Sequence, residues 1–273
     1  MAEGIPLLEV RGLAKRFGGL QAVRDLSFSL GEGEIVSLIG PNGAGKTTVF
    51  ALLSGFLVPD AGDILLRGRS LLGLSPHAIC ARGLARTFQI VRPFPRLSAL
   101  ANVEVGALIR ESRRPVARER ARAVLEQVGL GAKADQPAGS LTLAERKRLE
   151  LARALATRPA LLLLDEVMAG LNASEIERIV EQVRGINRSG VTILLIEHVM
   201  RAVMSLSGRV IAINHGELLV AGRPDEVAGD PRVIEAYLGE PAEVGVGAAQ
   251  AEADTAVRAA QADGETSVGA APP

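Results

Sequence analysis

Gly40-Pro41-Asn42-Gly43-Ala44-Gly45-Lys46-Thr47-Thr48 fits the pattern G-x-x-x-x-G-K-[ST], and its surroundings decide the fold. The apolar run Ile35–Ile39 precedes it and a helix-compatible stretch, Val49 to Gly55, follows. Strand, glycine-rich loop and helix in that order form a phosphate-binding loop. Gly43 and Gly45 let the backbone curl so that successive N–H groups face phosphate oxygens. The helix that starts there adds its dipole. Lys46 supplies a point charge between the β- and γ-phosphates, and Thr47 a hydroxyl for Mg²⁺. Asn42 and Thr48 complete the cradle. A glycine-rich turn with a chance lysine would lack the flanking strand and helix.

A phosphate loop alone does not separate ATPases from GTPases or kinases; the second half of the site does. Leu161–Leu164 is an apolar strand that ends in Asp165 and Glu166. Asp165 at the strand end can hold Mg²⁺ through its water shell. Glu166, one residue on, can polarise the attacking water as a general base. Two acids at a strand exit are ordinary by themselves; with the phosphate loop upstream they become the hydrolytic half of the site. A third strand, Thr192–Ile196, is followed by Glu197 and His198. Beyond a strand end of a parallel sheet His198 reaches the ligand edge, where it can bond the γ-phosphate and keep the water in line. His77 and His215 have no such setting and are given no role.

Other apolar runs, Ile64–Leu66 and Val210–Ile213, also read as strands. Between the strands lie helical periods. Ile176, Ile179, Val180, Val183 and Ile186 share one face, and so do Ala117, Ala121, Val124, Leu125 and Val128. Strands alternating with helices imply a mainly parallel sheet. Residues 88–157 carry helical patterns and no convincing strand.

Composition fits. The 273 residues are 48% hydrophobic but only 3% aromatic, with no Trp, so Leu, Val, Ile and Ala must build strands buried on both faces. A formal net charge of zero provides no basic field, and no nucleic-acid partner is expected. The single cysteine, Cys80, rules out an internal disulfide and suits a reducing compartment. The beginning of the chain lacks a signal-peptide pattern, and no apolar run approaches the ~18–20 residues that span a bilayer. Residues 241–273 hold 11 alanines and five acids against one arginine, the composition of a disordered tail.

The order of these motifs over residues 7–239 resembles the ATP-binding-cassette ATPase family. Gln89 in Arg86-Thr87-Phe88-Gln89 matches the family's Q-loop glutamine, which senses Mg²⁺ where a membrane domain docks. Ala169-Gly170-Leu171-Asn172 resembles the D-loop, and Phe17 matches the aromatic that stacks on adenine. The signature departs from the usual Leu-Ser-Gly-Gly-Gln: here it is Leu141-Thr142-Leu143-Ala144-Glu145. Thr142 keeps a hydroxyl for the γ-phosphate across a dimer, while Ala144 adds a methyl where a glycine allows close approach. Val167 stands where proline is usual.

The resemblance implies a P-loop NTPase of α/β class with a mainly parallel sheet, an antiparallel N-terminal β-subdomain and a helical subdomain. It divides the chain into an ATP-binding core (6–87 and 158–240), a helical signature subdomain (88–157) and the tail (241–273). It implies ATP and Mg²⁺ as ligands, a second ATPase subunit, two integral-membrane permeases and, indirectly, a periplasmic solute-binding protein. It places the chain in the cytoplasm, peripheral on the inner face of the plasma membrane. Leu84–Gln89 followed by Phe94-Pro95, the run Ile196–Met200 and the ending Asp230–Gly239 are most similar to ATPases of branched-chain and other hydrophobic amino-acid importers. Importers of urea, amides or aromatic acids are similar in turn. Lipopolysaccharide-export ATPases share the region around Ser75–Ala78 but differ in Q-loop wording. Soluble cassette proteins of translation or DNA repair usually have two cassettes in one chain or a long coiled-coil insertion, and neither is present here; a cassette that binds ATP without hydrolysing it is the last reading, against which Glu166 and His198 both stand.

Overall fold

The computed structural model describes residues 5–238. The tail expected over 241–273 lies outside the described residues. The chain divides into two compact units; of the described residues, the first holds 5–32, 36–79 and 208–238 and the second 33–35 and 80–207.

The chain opens with β1 (Leu8–Phe17), β2 (Leu20–Leu30), β3 (Ile35–Ile39), α1 (Lys46–Leu53), β4 (Ala61–Leu66) and β5 (Arg69–Ser70), and α2 (Pro76–Arg82) leads out of the first unit. The second unit contains β6 (Leu84–Arg86), α3 (Ala99–Ala107), α4 (Arg114–Gln127), α5 (Leu143–Ala156), β7 (Leu161–Asp165), α6 (Ala173–Arg188), β8 (Thr192–Ile196) and α7 (Met200–Leu206). The chain then returns to the first unit with β9 (Arg209–Asn214), β10 (Glu217–Gly222), α8 (Pro224–Ala228) and α9 (Pro231–Leu238).

In the first unit, β2-β1-β4-β5 form the antiparallel sheet that the resemblance implied. Leu8, Val10 and Leu13 point into its buried face, and the register slips between Val10 and Leu13. Such slips add twist to a long strand. β3 runs parallel to β9, with Ile39 opposite Ala212, and β10 returns antiparallel on β9. Val36 to Ile39 are all buried, as a strand covered on both faces requires.

In the second unit β6, β7 and β8 are parallel neighbours. All five residues of β7 are buried. The pairing of Asp165 with Ile196 brings both strands to the same C-terminal edge, so Glu166 and the pair Glu197-His198 emerge side by side. Val103, Val124, Leu125, Leu149 and Leu155 from the helices share one apolar core with Leu162 and Leu164 of β7. The periods read at 176–186 and 117–128 fall in α6 and α4, with Val128 just past the end of α4. Among the described residues, 88–157 holds no strand beyond one isolated bridge, Ser98 to Pro137. β1, β2, β5, β6 and β10 were not among the strands read from the apolar runs, the antiparallel sheet being expected only from the resemblance. β5 and β6 have two and three residues, and β10 is only partly covered and carries no alternation.

Candidate functional site

The P-loop of the first unit takes its shape from two crowded glycines. Gly45, at φ +98°, is the residue before α1, and a Cβ there would lie 2.3 Å from the Ala22 carbonyl oxygen. A Cβ on Gly40 would lie 2.2 Å from the Ile213 oxygen. Neither position admits a side chain, so the loop backbone packs directly on neighbouring backbone. No side chain caps the N-terminus of α1, and its first turn holds no acid. Negative charge is favoured beside such a helix N-terminus. Lys46 is 7% exposed and bends back over the loop, its Nζ donating to the Gly40 and Pro41 carbonyls at 2.8 Å each. Asn42 and Gly43 are exposed, Thr47 is half-buried and Thr48 is buried. Phe17 ends β1, half-buried, with Lys15 Nζ 5.8 Å from its ring centre.

In the second unit three expected residues meet on one carboxylate. Gln89 Nε2 donates to Glu166 Oε2 at 2.7 Å, and His198 Nε2 lies 2.9 Å from Glu166 Oε1. Glu166 itself has φ +47°, a left-handed conformation that few side chains adopt. Its backbone is pinned on both sides. The N–H donates to Ile196 O at 3.0 Å, and the carbonyl accepts from Lys147 Nζ at 2.8 Å. This unusual turn aims the carboxylate at Gln89 and His198 instead of back along the strand.

Asp165 is held differently. It is 2% exposed, and Arg86 from β6 donates to its Oδ2 at 2.7 Å. The Thr87 hydroxyl accepts the Asp165 N–H at 3.2 Å. Arg86 and Lys147 carried no role in the sequence reading. Arg86 sits inside a three-residue strand, and Lys147 looks like any basic residue on a mixed-charge helix. Its buried contact with the Glu166 carbonyl appears only once α5 and β7 are packed.

The signature segment is the N-terminus of α5. Thr142 Oγ1 accepts the Glu145 N–H at 3.3 Å, and Glu145 Oε2 accepts the Thr142 N–H at 3.0 Å, a complete capping box. Glu145 also pairs with Lys133, which holds its carboxyl below the usual range. The departure from glutamine at this position therefore has a local structural reason, and T-x-x-E was the sequence signal for it. As a cap acceptor the Thr142 oxygen retains its own proton to donate. Ala144 lies half-buried in the first turn of α5. Asn172, read as part of the D-loop, caps α6 by the same device with Glu175.

Glu197 is 3% exposed and accepts the Met168 N–H at 2.9 Å. Burial raises its carboxyl from 4.5 to about 7, only partly opposed by the Met168 hydrogen bond and the Lys147 charge. Burial in turn lowers Lys147, against the pull of Glu197, Glu166 and Asp165. Between about pH 4.5 and 7 folded Glu197 binds more protons than unfolded Glu197, so its contribution to stability falls as pH rises through that window. The total is on the order of 3 kcal/mol. Glu197→Gln keeps an acceptor for Met168 and removes the titration. The variant should gain stability relative to the parent from pH 5 to pH 8 in paired thermal scans; a constant difference across that range would refute the assignment.

The family model described as "ABC transporter" matches residues 23–169. The chain belongs to the ABC transporter family. A second model, "Branched-chain amino acid ATP-binding cassette transporter", matches residues 217–243. The cassette is 45% identical over 251 residues to the high-affinity branched-chain amino acid transport ATP-binding protein LivG of Salmonella typhimurium, covering 86% of this chain and 98% of that one. To the lipopolysaccharide export system ATP-binding protein LptB of Acidithiobacillus ferridurans it is 37% identical over 235 residues, covering 86% and 97%. Among solved structures, a nucleotide-free ATP-binding cassette from an ABC transporter superposes with a TM-score of 0.79 at 28% identity, covering 86% of this chain and all of that one. The cassette is thus a P-loop ATPase of a transporter. No helix among its described residues is long and apolar enough to cross a membrane.

Proposed function

We propose that this cassette is the ATP-hydrolysing subunit of an importer for branched-chain or other hydrophobic amino acids, acting through separate membrane permeases. The observation that carries this reading is the second family match, at residues 217–243, beyond the residues 23–169 that the general family model matches. The margin of 45% over 37% identity favours it over lipopolysaccharide export.

In this reading Asn42, Gly43, Gly45, Lys46 and Thr48 cradle the phosphates of ATP, and Phe17 stacks on the adenine. Thr47, Asp165 and Gln89 offer hydroxyl, carboxylate and amide oxygens, the hard donors that suit Mg²⁺. When bound, Mg²⁺ neutralises charge on the phosphates. On nucleotide binding Gln89 and His198 turn from Glu166 to their own partners. A carboxylate oxygen of Glu166 then takes a proton from water, whose oxygen attacks the γ-phosphorus and displaces ADP. His198 orients the γ-phosphate.

A second cassette lends its signature, Thr142 and Ala144 here, across a nucleotide-bound dimer. Binding of ATP to the closed form drives closure by population shift. The core (6–87 and 158–240) carries the nucleotide, and the helical segment (88–157) passes the motion to two permeases on the inner face of the plasma membrane. A periplasmic binding protein delivers the solute.

Purification from native membranes tests the reading. The cassette should bring down two permeases and support ATP-dependent leucine uptake in reconstituted vesicles. Recovery with a lipopolysaccharide-export assembly, and no amino-acid uptake, would replace it.

A further inference from the structure

The first residue of the P-loop is held by a side chain of α9, nearly 200 residues further along the chain. Gly40 lies one residue beyond β3, whose parallel ladder with β9 ends at Ile39 and Ala212. Its N–H therefore leaves the sheet in a buried position, where an unpaired donor costs stability. The acceptor it finds is the Tyr237 hydroxyl, at 2.9 Å. Tyr237 lies on α9, one turn after the buried Val233 and on the same face. It is the only tyrosine in the chain.

We infer that Tyr237 is a positioning residue for the nucleotide phosphates, fixing the entry of the P-loop through the Gly40 N–H. This rests on the proposed binding of ATP at that loop.

Three observations support it. Gly40 is wedged, since any Cβ there would meet the Ile213 oxygen, so the peptide has little room to relax if its tether is lost. The two sides of Gly40 have different partners: Tyr237 takes the N–H and Lys46 Nζ takes the carbonyl. When Lys46 turns toward phosphate, the Tyr237 bond is the one that does not compete with the ligand. Finally, a second tether comes from the same C-terminal stretch, where the Gly216 N–H donates to the Ala44 carbonyl at 3.1 Å. The segment after β9 thus braces the loop near both ends. Burial pushes the Tyr237 phenol further up from its already alkaline range.

The test uses the full chain with Mg·ATP and ADP. Tyr237→Phe keeps the ring and removes only the acceptor. It should raise KM for ATP and Kd for ADP about 3- to 10-fold, the size of one hydrogen bond, while kcat stays within about twofold. Tyr237→Leu should weaken nucleotide binding at least as much. A Phe variant with parental KM and Kd, with or without a lower Tm, would reduce Tyr237 to packing and overturn the inference. Amide exchange in the nucleotide-free parent needs no variant: the Gly40 N–H should be protected, and free exchange would also overturn it. Lys46→Ala run alongside separates the two ideas. If that variant binds ATP normally the phosphate site itself is wrong, whereas normal binding by Tyr237→Phe alone refutes only the positioning role.

Discussion

Glu166→Gln will bind ATP and fail to hydrolyse it, with turnover lower by about 100-fold or more, the range for loss of a general base. The reasoning is steric as well as chemical. Glutamine has the shape of glutamate and the same backbone demands, so the left-handed turn at 166, tied to Ile196 O and Lys147 Nζ, is retained. Its amide can still present Oε1 to Gln89 Nε2 and Nε2 to an unprotonated ring nitrogen of His198, matching the present contacts. What it cannot do is accept a proton from water. Binding and hydrolysis therefore separate, and ATP should accumulate in a stable dimer visible by size-exclusion chromatography with radiolabelled nucleotide. Release of phosphate near the parental rate would remove Glu166 from the role and direct attention to Asp165 or His198.

The contact set around Glu166 also shows where sequence reasoning succeeds. Leu161–Leu164 followed by two acids could be read because a strand buried on both faces writes itself as an unbroken apolar run. Position along the strand then separates Asp165, inward and ion-paired to Arg86, from Glu166, turned out toward Gln89 and His198. The P-loop was legible for a similar reason, since the crowding at Gly40 and Gly45 admits one residue type.

Residues whose role depends on long-range packing were not legible. Lys147 is a basic residue on a charged helix until α5 packs beside β7. Tyr237 lies nearly 200 residues from Gly40, and the ending Asp230–Gly239 around it carried a family resemblance but no link to the P-loop. The short strand β6 gave no periodicity because three residues cannot show one. The signature illustrates an opposite failure. Measured against the family's usual wording, Glu145 is only a departure from glutamine, whereas its own chemistry closes a capping box and an ion pair with Lys133.

Lys46→Ala should weaken ATP binding by roughly 10- to 100-fold and bring hydrolysis below detection, because a charge-assisted contact is worth about 1.5–3 kcal/mol. The contacts of the loop already show what the ammonium does. Enclosed at 7% exposure, it bonds the Gly40 and Pro41 carbonyls, so its charge is solvated by the loop and not by water. Exchanging two neutral carbonyls for phosphate oxygens is favourable at a site with little competing water. Alanine removes that exchange and takes the Lys46 donor from the Gly40 carbonyl, while the Pro41 carbonyl keeps the Ala44 N–H at 3.2 Å, so only a little stability goes with it. Lys46→Arg distinguishes charge from shape. A planar guanidinium is larger and cannot fit the slot that Lys46 occupies, so it should not restore binding although the charge is kept. Equilibrium titration with ATP and ADP reads both variants. Parental affinity in Lys46→Ala would mean that the phosphates are held elsewhere, and full rescue by arginine would show that net charge, not the ammonium's fit against the Gly40 and Pro41 carbonyls, is what the site requires.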